Sequence, residues 1–302
     1  MSSHINRRQF CKNAVFATSG LCIGGNSYAT TVDRKGGVKI KISLNCYSFN
    51  RPLRDGDMTL DDVIDYCANL GFDAVDTTGY YFPGYPAVPP DDYVYHIKRK
   101  AFLNGMSISG TGIRNDFAVT DKAARKKDVQ LVKDWIFAAK KLGAPVIRIF
   151  AGKKVPDGYT WEQTAAWMVE DMKACAAFGQ QHGVLVAVQH HHDFLKTADE
   201  TIKIVNAVDS DWFGVILDVG SLRSSDPYEE IEKLLPYAVS WQLKEMVWYG
   251  EDQVPTDLPK VKDIIDRIGY RGFLPIETLG EGDPKVKVAQ FFERVSKVFN
   301  LN

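Results

Sequence analysis

Four segments of the chain end an apolar run on a side chain able to hold a cation or move a proton. They read Val188-Gln189-His190-His191-His192-Asp193, Leu217-Asp218-Val219-Gly220, Trp241-Gln242-Leu243-Lys244-Glu245 and Pro275-Ile276-Glu277-Thr278. Two carboxylates and two amides emerging together from a core cost free energy unless something satisfies them. A divalent cation is one such partner. The all-oxygen set Gln189, Asp218, Gln242 and Glu277 suits Mn²⁺ or Mg²⁺, and also Ca²⁺, better than Zn²⁺, which prefers nitrogen and sulfur. His191 shares a face with Gln189 by the two-residue period of a strand, and imidazole is the side chain best suited to move a proton at neutral pH, so it is the expected proton donor. Lys244 shares a face with Gln242 and could stabilise developing negative charge, with a salt bridge to Glu245 or Asp218 as the plain alternative. Arg148, inside Val146-Ile147-Arg148-Ile149-Phe150, needs a ligand or a buried partner such as Asp76. With His190, Glu245 and Trp248 it makes up the expected substrate-binding set. The competing reading of His190 and His192 is a solvent-exposed histidine run, and that of the aromatics is packing.

Such groups act together only if the chain brings the four segments to one place. Strand-like runs recur at Val38–Cys46, Ala74–Thr77, Ser107–Gly110, Val146–Ala151, Leu185–His190, Gly214–Val219, Val239–Lys244 and Phe273–Thr278. Their centres are separated by roughly 26–40 residues, the length of one βα unit. Helices between them have start signals at Thr59, Asp91, Thr160, Thr197 and Asp226, and glycine stops at Gly71, Gly105, Gly143, Gly183 and Gly269. Eight repeats of strand and helix predict a closed parallel (β/α)8 TIM barrel of class α/β, with function at the carboxyl ends of the strands. An open doubly wound sheet is disfavoured: the first strand is followed by no Gly-x-Gly-x-x-Gly, and the chain holds no phosphate-cradling loop. The proline- and aromatic-rich Tyr80–Pro90 stretch reads as a long loop on the catalytic face.

The chain has 302 residues, 45% hydrophobic and 25% charged, so disorder and disulfide-dense scaffolds are excluded. With 37 Lys and Arg against 38 Asp and Glu, the net charge is −1, and no nucleic-acid partner is expected. Asn6-Arg7-Arg8-Gln9-Phe10 ahead of a mildly apolar stretch, with Ser27-Tyr28-Ala29 at cleavage spacing, resembles a twin-arginine export signal over residues 1–29. A periplasmic location and a barrel over residues 30–302, without stable membrane insertion, follow as expectations; a cytosolic tail with a chance Arg-Arg is the alternative. Cys46, Cys67 and Cys175 remain, at no metal-finger spacing, and are expected in the core.

The strand-end motifs resemble the xylose-isomerase-like TIM-barrel superfamily, the sugar phosphate isomerase/epimerase group that includes tagatose epimerase and inosose dehydratase. Its pattern is Glu, Asp of Asp-x-Gly-His, His of His-x-Lys-Asp, and Glu, on strands 5 to 8. These fall on Gln189, Asp218, Gln242 and Glu277. Lys244 falls on the Lys of His-x-Lys-Asp, and His191 on the substrate-contacting His of the family's Glu-Asn-His strand end. The resemblance implies a metal-dependent isomerase, epimerase or lyase acting on a small carbohydrate by proton abstraction next to a carbonyl. Gln189 for Glu, Gln242 for His and Ser221 for the His after Asp-x-Gly depart from the pattern. An amide cannot take a proton, which argues against epimerisation by paired glutamates. It leaves Glu277 as the single base, and with export it points to 3-keto-sugars or 3-keto-glycosides. Two other readings stay open: a site that has lost its metal, and an exported sugar-binding barrel without catalysis.

Overall fold

The computed structural model describes residues 31–191 and 193–301. His192 and the expected leader lie outside the described residues. Eight parallel strands close into a barrel: β1 (Lys39–Asn45), β2 (Ala74–Thr78), β3 (Ser107–Gly112), β4 (Val146–Phe150), β5 (Leu185–Gln189), β6 (Phe213–Asp218), β7 (Ala238–Lys244) and β10 (Arg271–Glu277), the last pairing with both β7 and β1. Between β7 and β10 the chain adds an antiparallel hairpin, β8 (Met246–Tyr249) and β9 (Asp252–Pro255), which the strand–helix repeat does not predict. Among the described residues no helix is long and apolar enough to cross a membrane.

The helix boundaries follow local chemistry. Thr59, Thr160 and Thr197 each form a reciprocal capping box with the residue three positions on, satisfying amides that the first turn leaves unpaired. Asp226 caps its helix and Pro227 follows at the first position. Asp91 is the first helical residue rather than the cap, which is Pro90. Cys46, Cys67 and Cys175 are buried free thiols, as expected of small core residues.

The main apolar core lies between the sheet and the helices, and a second cluster of Val146, Ala187 and Ile216, flanked by Leu185 and Val239, fills the barrel. That inner cluster positions the site. Side chains in a strand repeat every two residues on one face, so the next inward residues are Arg148, Gln189 and Asp218, and the chain then leaves the sheet. Register sets the neighbours: Asp218 lies opposite Gln242, and Lys244 opposite Glu277.

Candidate active site

The floor of the barrel mouth is one hydrogen-bonded cluster. Asp218, wholly buried, accepts from Gln189 Nε2 at 2.7 Å, Ser221 Oγ at 2.7 Å and Lys244 Nζ at 2.9 Å, all on Oδ2, while Oδ1 accepts from the Gly220 amide at 3.0 Å. Gln189 Nε2 also donates to Gln242 Oε1 at 2.7 Å. Lys244 Nζ lies 3.4 Å from Glu277 Oε1, so the ammonium bridges the two carboxylates. Its stem crosses Gly220, where a Cβ would stand 2.4 Å from Lys244 Cδ.

Burial works against every charge here, and pairing decides the outcome. It would raise the Asp218 carboxyl, yet Lys244 and the hydrogen bonds hold it down to about 2. It would lower the Lys244 ammonium, but Asp218 and Glu277 together raise it. For Glu277 burial wins: its carboxyl sits above the ordinary range despite Lys244, nearer the pH at which a general base works best. Asp76, near by in the barrel, is pushed up to about 7 by burial, with Arg148 opposing and Glu277 adding to the rise.

Above this floor is a cavity of about 290 Å³, walled by Asn45, Tyr47, Tyr80, Arg114, Arg148, Phe150, Gln189, His191, Gln242, Lys244, Glu277 and Leu279. His191 is also in the wall of two adjoining cavities of about 470 and 320 Å³. The three share wall residues, His191 in all of them and Lys244, Glu277 and Leu279 in the first and third, and together make a trough. His191 Nδ1 is 2.8 Å from Asp193 Oδ2, and its ring meets Phe150 edge-on.

The family model described as xylose isomerase-like TIM barrel matches residues 64–294. The chain belongs to this family. Solved structures of the same barrel include D-psicose 3-epimerase from Clostridium cellulolyticum H10, at 16% identity and TM-score 0.72, covering 86% of this chain and 99% of that one. A 3-keto-D-glucoside 4-epimerase from E. coli gives 10% identity and TM-score 0.70, covering 86% and 100%. An L-ribulose 3-epimerase gives 14% and 0.70, covering 87% and 95%. No curated protein sequence matches the chain significantly.

The resemblance to this xylose isomerase-like family implied a divalent metal on Gln189, Asp218, Gln242 and Glu277. The structure brings the four together, but the groups present do not fit such an ion. Both Asp218 oxygens are taken by donors, Gln242 Oε1 is taken by Gln189, and an ammonium already lies between the carboxylates. Among the described residues no three His, Cys, Asp or Glu side chains form a metal-holding group. Of the other expected residues, Lys244 pairs with Asp218 and not with Glu245, which instead meets Lys287 at 3.2 Å in the wall of the third cavity. Trp248 lines that cavity too, with the Arg223 guanidinium 3.9 Å over its ring. Arg148 donates to the Ile113 carbonyl and to the Tyr80 hydroxyl; its relation to Asp76 is electrostatic rather than a direct bond. His190, expected against substrate, is 1% exposed and outside the cavity walls, its Nε2 accepting from the Asp218 amide at 3.0 Å. A histidine pointing away from Gln189 enters the packing instead, so His190 is neither a wall of these cavities nor the solvent-exposed residue of the alternative reading.

Sequence reasoning missed Asp193, Arg114 and Tyr80's bond to Arg148. Asp193 was visible as an acid two residues from His191. Gly112 was a further signal: a glycine inside a strand marks close approach, and a Cβ there would stand 2.9 Å from Arg148 Nε.

Proposed function

We propose that this protein is an isomerase, epimerase or lyase acting on a carbohydrate that carries a carbonyl, with 3-keto-glycosides as the favoured class. One observation carries the reading: a buried carboxylate with a raised pKa, Glu277, and a buried ammonium, Lys244, share the floor of one cavity at 3.4 Å. Glu277 takes the proton from the carbon next to the carbonyl, and the C–H electron pair moves into the new C–C double bond as the carbonyl oxygen becomes an enolate. An ammonium has three N–H donors. Two point toward Asp218 and Glu277, and the third serves the enolate oxygen. His191, oriented by Asp193, then delivers a proton to carbon, completing isomerisation or epimerisation, or to a leaving group expelled by the enolate. The buried Oε1 of Gln189 has no protein partner, and a substrate hydroxyl would relieve that cost. A glycoside fits the trough better than a free monosaccharide, because a second group can lie along Glu245 and Trp248. The likeness to a 3-keto-D-glucoside 4-epimerase supports this substrate class, and export through the twin-arginine-like leader would bring the protein to such compounds.

The test is C–H exchange in D₂O, followed by NMR over a panel of free ketoses and 3-keto-glycosides. Exchange next to the carbonyl of a 3-keto-glycoside is expected, and Glu277→Gln should lower its rate by a factor of about 10² to 10⁴. Saturable binding without exchange would instead establish a sugar-binding barrel. Wild-type exchange in Glu277→Gln would remove the base from the scheme.

A further inference from the structure

We propose that this barrel holds no resident divalent metal, and that the Lys244 ammonium is the cation built into its floor. The inference concerns the free protein and does not depend on which sugar it turns over. Its first support is the state of Asp218: Gln189, Ser221 and Lys244 all donate to Oδ2, three donors on an oxygen with two lone pairs, and the Gly220 amide donates to Oδ1. A metal at Oδ2 would have to displace at least one of these donors, and at Oδ1 it would share the oxygen with the Gly220 amide.

The second support is the direction of the amides. Gln189 Nε2 points at two acceptors, Asp218 Oδ2 and Gln242 Oε1, each at 2.7 Å. Turning the amide over would place its oxygen against both of them, so the orientation is fixed by the network around it. Gln242 Oε1 thereby accepts from Gln189, and Gln189 presents N–H rather than oxygen to the carboxylate, leaving its own buried Oε1 without a protein partner.

The third support is the seat of the lysine. Its stem lies in a groove that only a glycine at 220 leaves open, and its Nζ reaches both carboxylates. An entering divalent ion would repel this ammonium and strand it in a buried place without its partners, a costly state. Ammonium and metal therefore compete for one position, and the lysine is covalently attached.

The test needs no substrate. The full-length chain is purified without chelator, its metal content is measured by mass spectrometry, and thermal unfolding is followed with EDTA and with millimolar Mn²⁺ or Mg²⁺. A ligand that binds only the folded state raises its stability, so the wild-type midpoint should move with neither addition, and the metal content should be far below one per chain. The Lys244→Ala chain, with the ammonium gone and both carboxylates kept, should bind Mn²⁺ at least about tenfold more tightly than wild type and gain thermal stability on its addition. Stoichiometric metal in the wild-type chain, with a midpoint lowered by EDTA, would overturn the proposal, and this arm stands even if Lys244→Ala does not fold. A folded Lys244→Ala chain with no gain in Mn²⁺ affinity would overturn the claim that the ammonium sits in the cation's position. Failure of the sugar-exchange assay would affect neither outcome.

Discussion

Replacing Lys244 by Met keeps most of the stem over Gly220 and deletes only the charge. The Lys244 side chain is 11% exposed, Asp218 0% and Glu277 4%, so the cluster is a buried ion network. Removing one partner of such a network costs about 3–5 kcal/mol, because the remaining charge stays buried without compensation. The loss should be unevenly shared. Asp218 keeps Gln189, Ser221 and the Gly220 amide, whereas Glu277 loses the ammonium that offsets its burial. In the variant the Glu277 carboxyl therefore rises further above its unfolded-state pKa. The folded state then binds more protons than the unfolded one, and stability falls as pH rises through that interval. Urea denaturation should show the deficit near 3–5 kcal/mol at pH 8 and markedly smaller at pH 5.5. Adding Glu277→Gln to Lys244→Met should recover part of the loss at pH 8 and flatten the pH dependence. A deficit below about 1 kcal/mol at both pH values would place this pair with surface salt bridges and refute the buried bridge.

Other perturbations test separate links of the same argument. Gly220→Ala should destabilise by about 1–3 kcal/mol through overpacking against the Lys244 stem, and a double-mutant cycle with Lys244→Ala should abolish most of that cost. His190, held down to about 4 by burial against about 6.5 in an unfolded chain, is neutral in both states above pH 6.5. Between pH 6.5 and 4 the unfolded chain alone takes the proton, so wild type should lose up to about 3 kcal/mol relative to His190→Gln as pH falls, measured by denaturation across that range. Asp193→Asn should leave stability unchanged and lower the rate of proton return to substrate, read as slower product formation with C–H exchange retained. Equal losses of both would assign Asp193 to general packing of the loop.

The architecture was legible because its signals are local and repeated. Capping threonines, glycine stops and apolar runs each mark a boundary without knowledge of any neighbour, and no strand limit differs from the sequence reading by more than two residues. The inward positions were legible for a related reason: alternation from Val146, Ala187 and Ile216 leads directly to Arg148, Gln189 and Asp218. Hydrogen-bond choice was not legible. Lys244 could have met Glu245 or Asp218, and only the barrel's closure, setting β7 beside both β6 and β10, puts its ammonium between Asp218 and Glu277. The β8–β9 hairpin escaped because its strands are four residues each, too short to establish a period.

The departures from the family pattern read differently once the contacts are known. Taken singly, Gln189, Gln242 and Ser221 are three lost side chains at a metal site. Taken together they are a set of hydrogen-bonding partners: Gln189 and Ser221 donate to Asp218, and Gln242 accepts from Gln189. Each replaces a group that would bind a metal or carry charge with a neutral one that satisfies its neighbour. Lys244 supplies the positive charge that makes the arrangement stable around two buried carboxylates. A buried polar network is worth keeping only when nearly all its members are satisfied, so restoring one metal ligand alone, by Gln189→Glu, gains little. It adds a third carboxylate beside Asp218 with no new cation, and removes the N–H that bound both Asp218 and Gln242. Conversion to a metal site requires the lysine to leave in the same step, which makes these four positions one coupled unit rather than four independent substitutions.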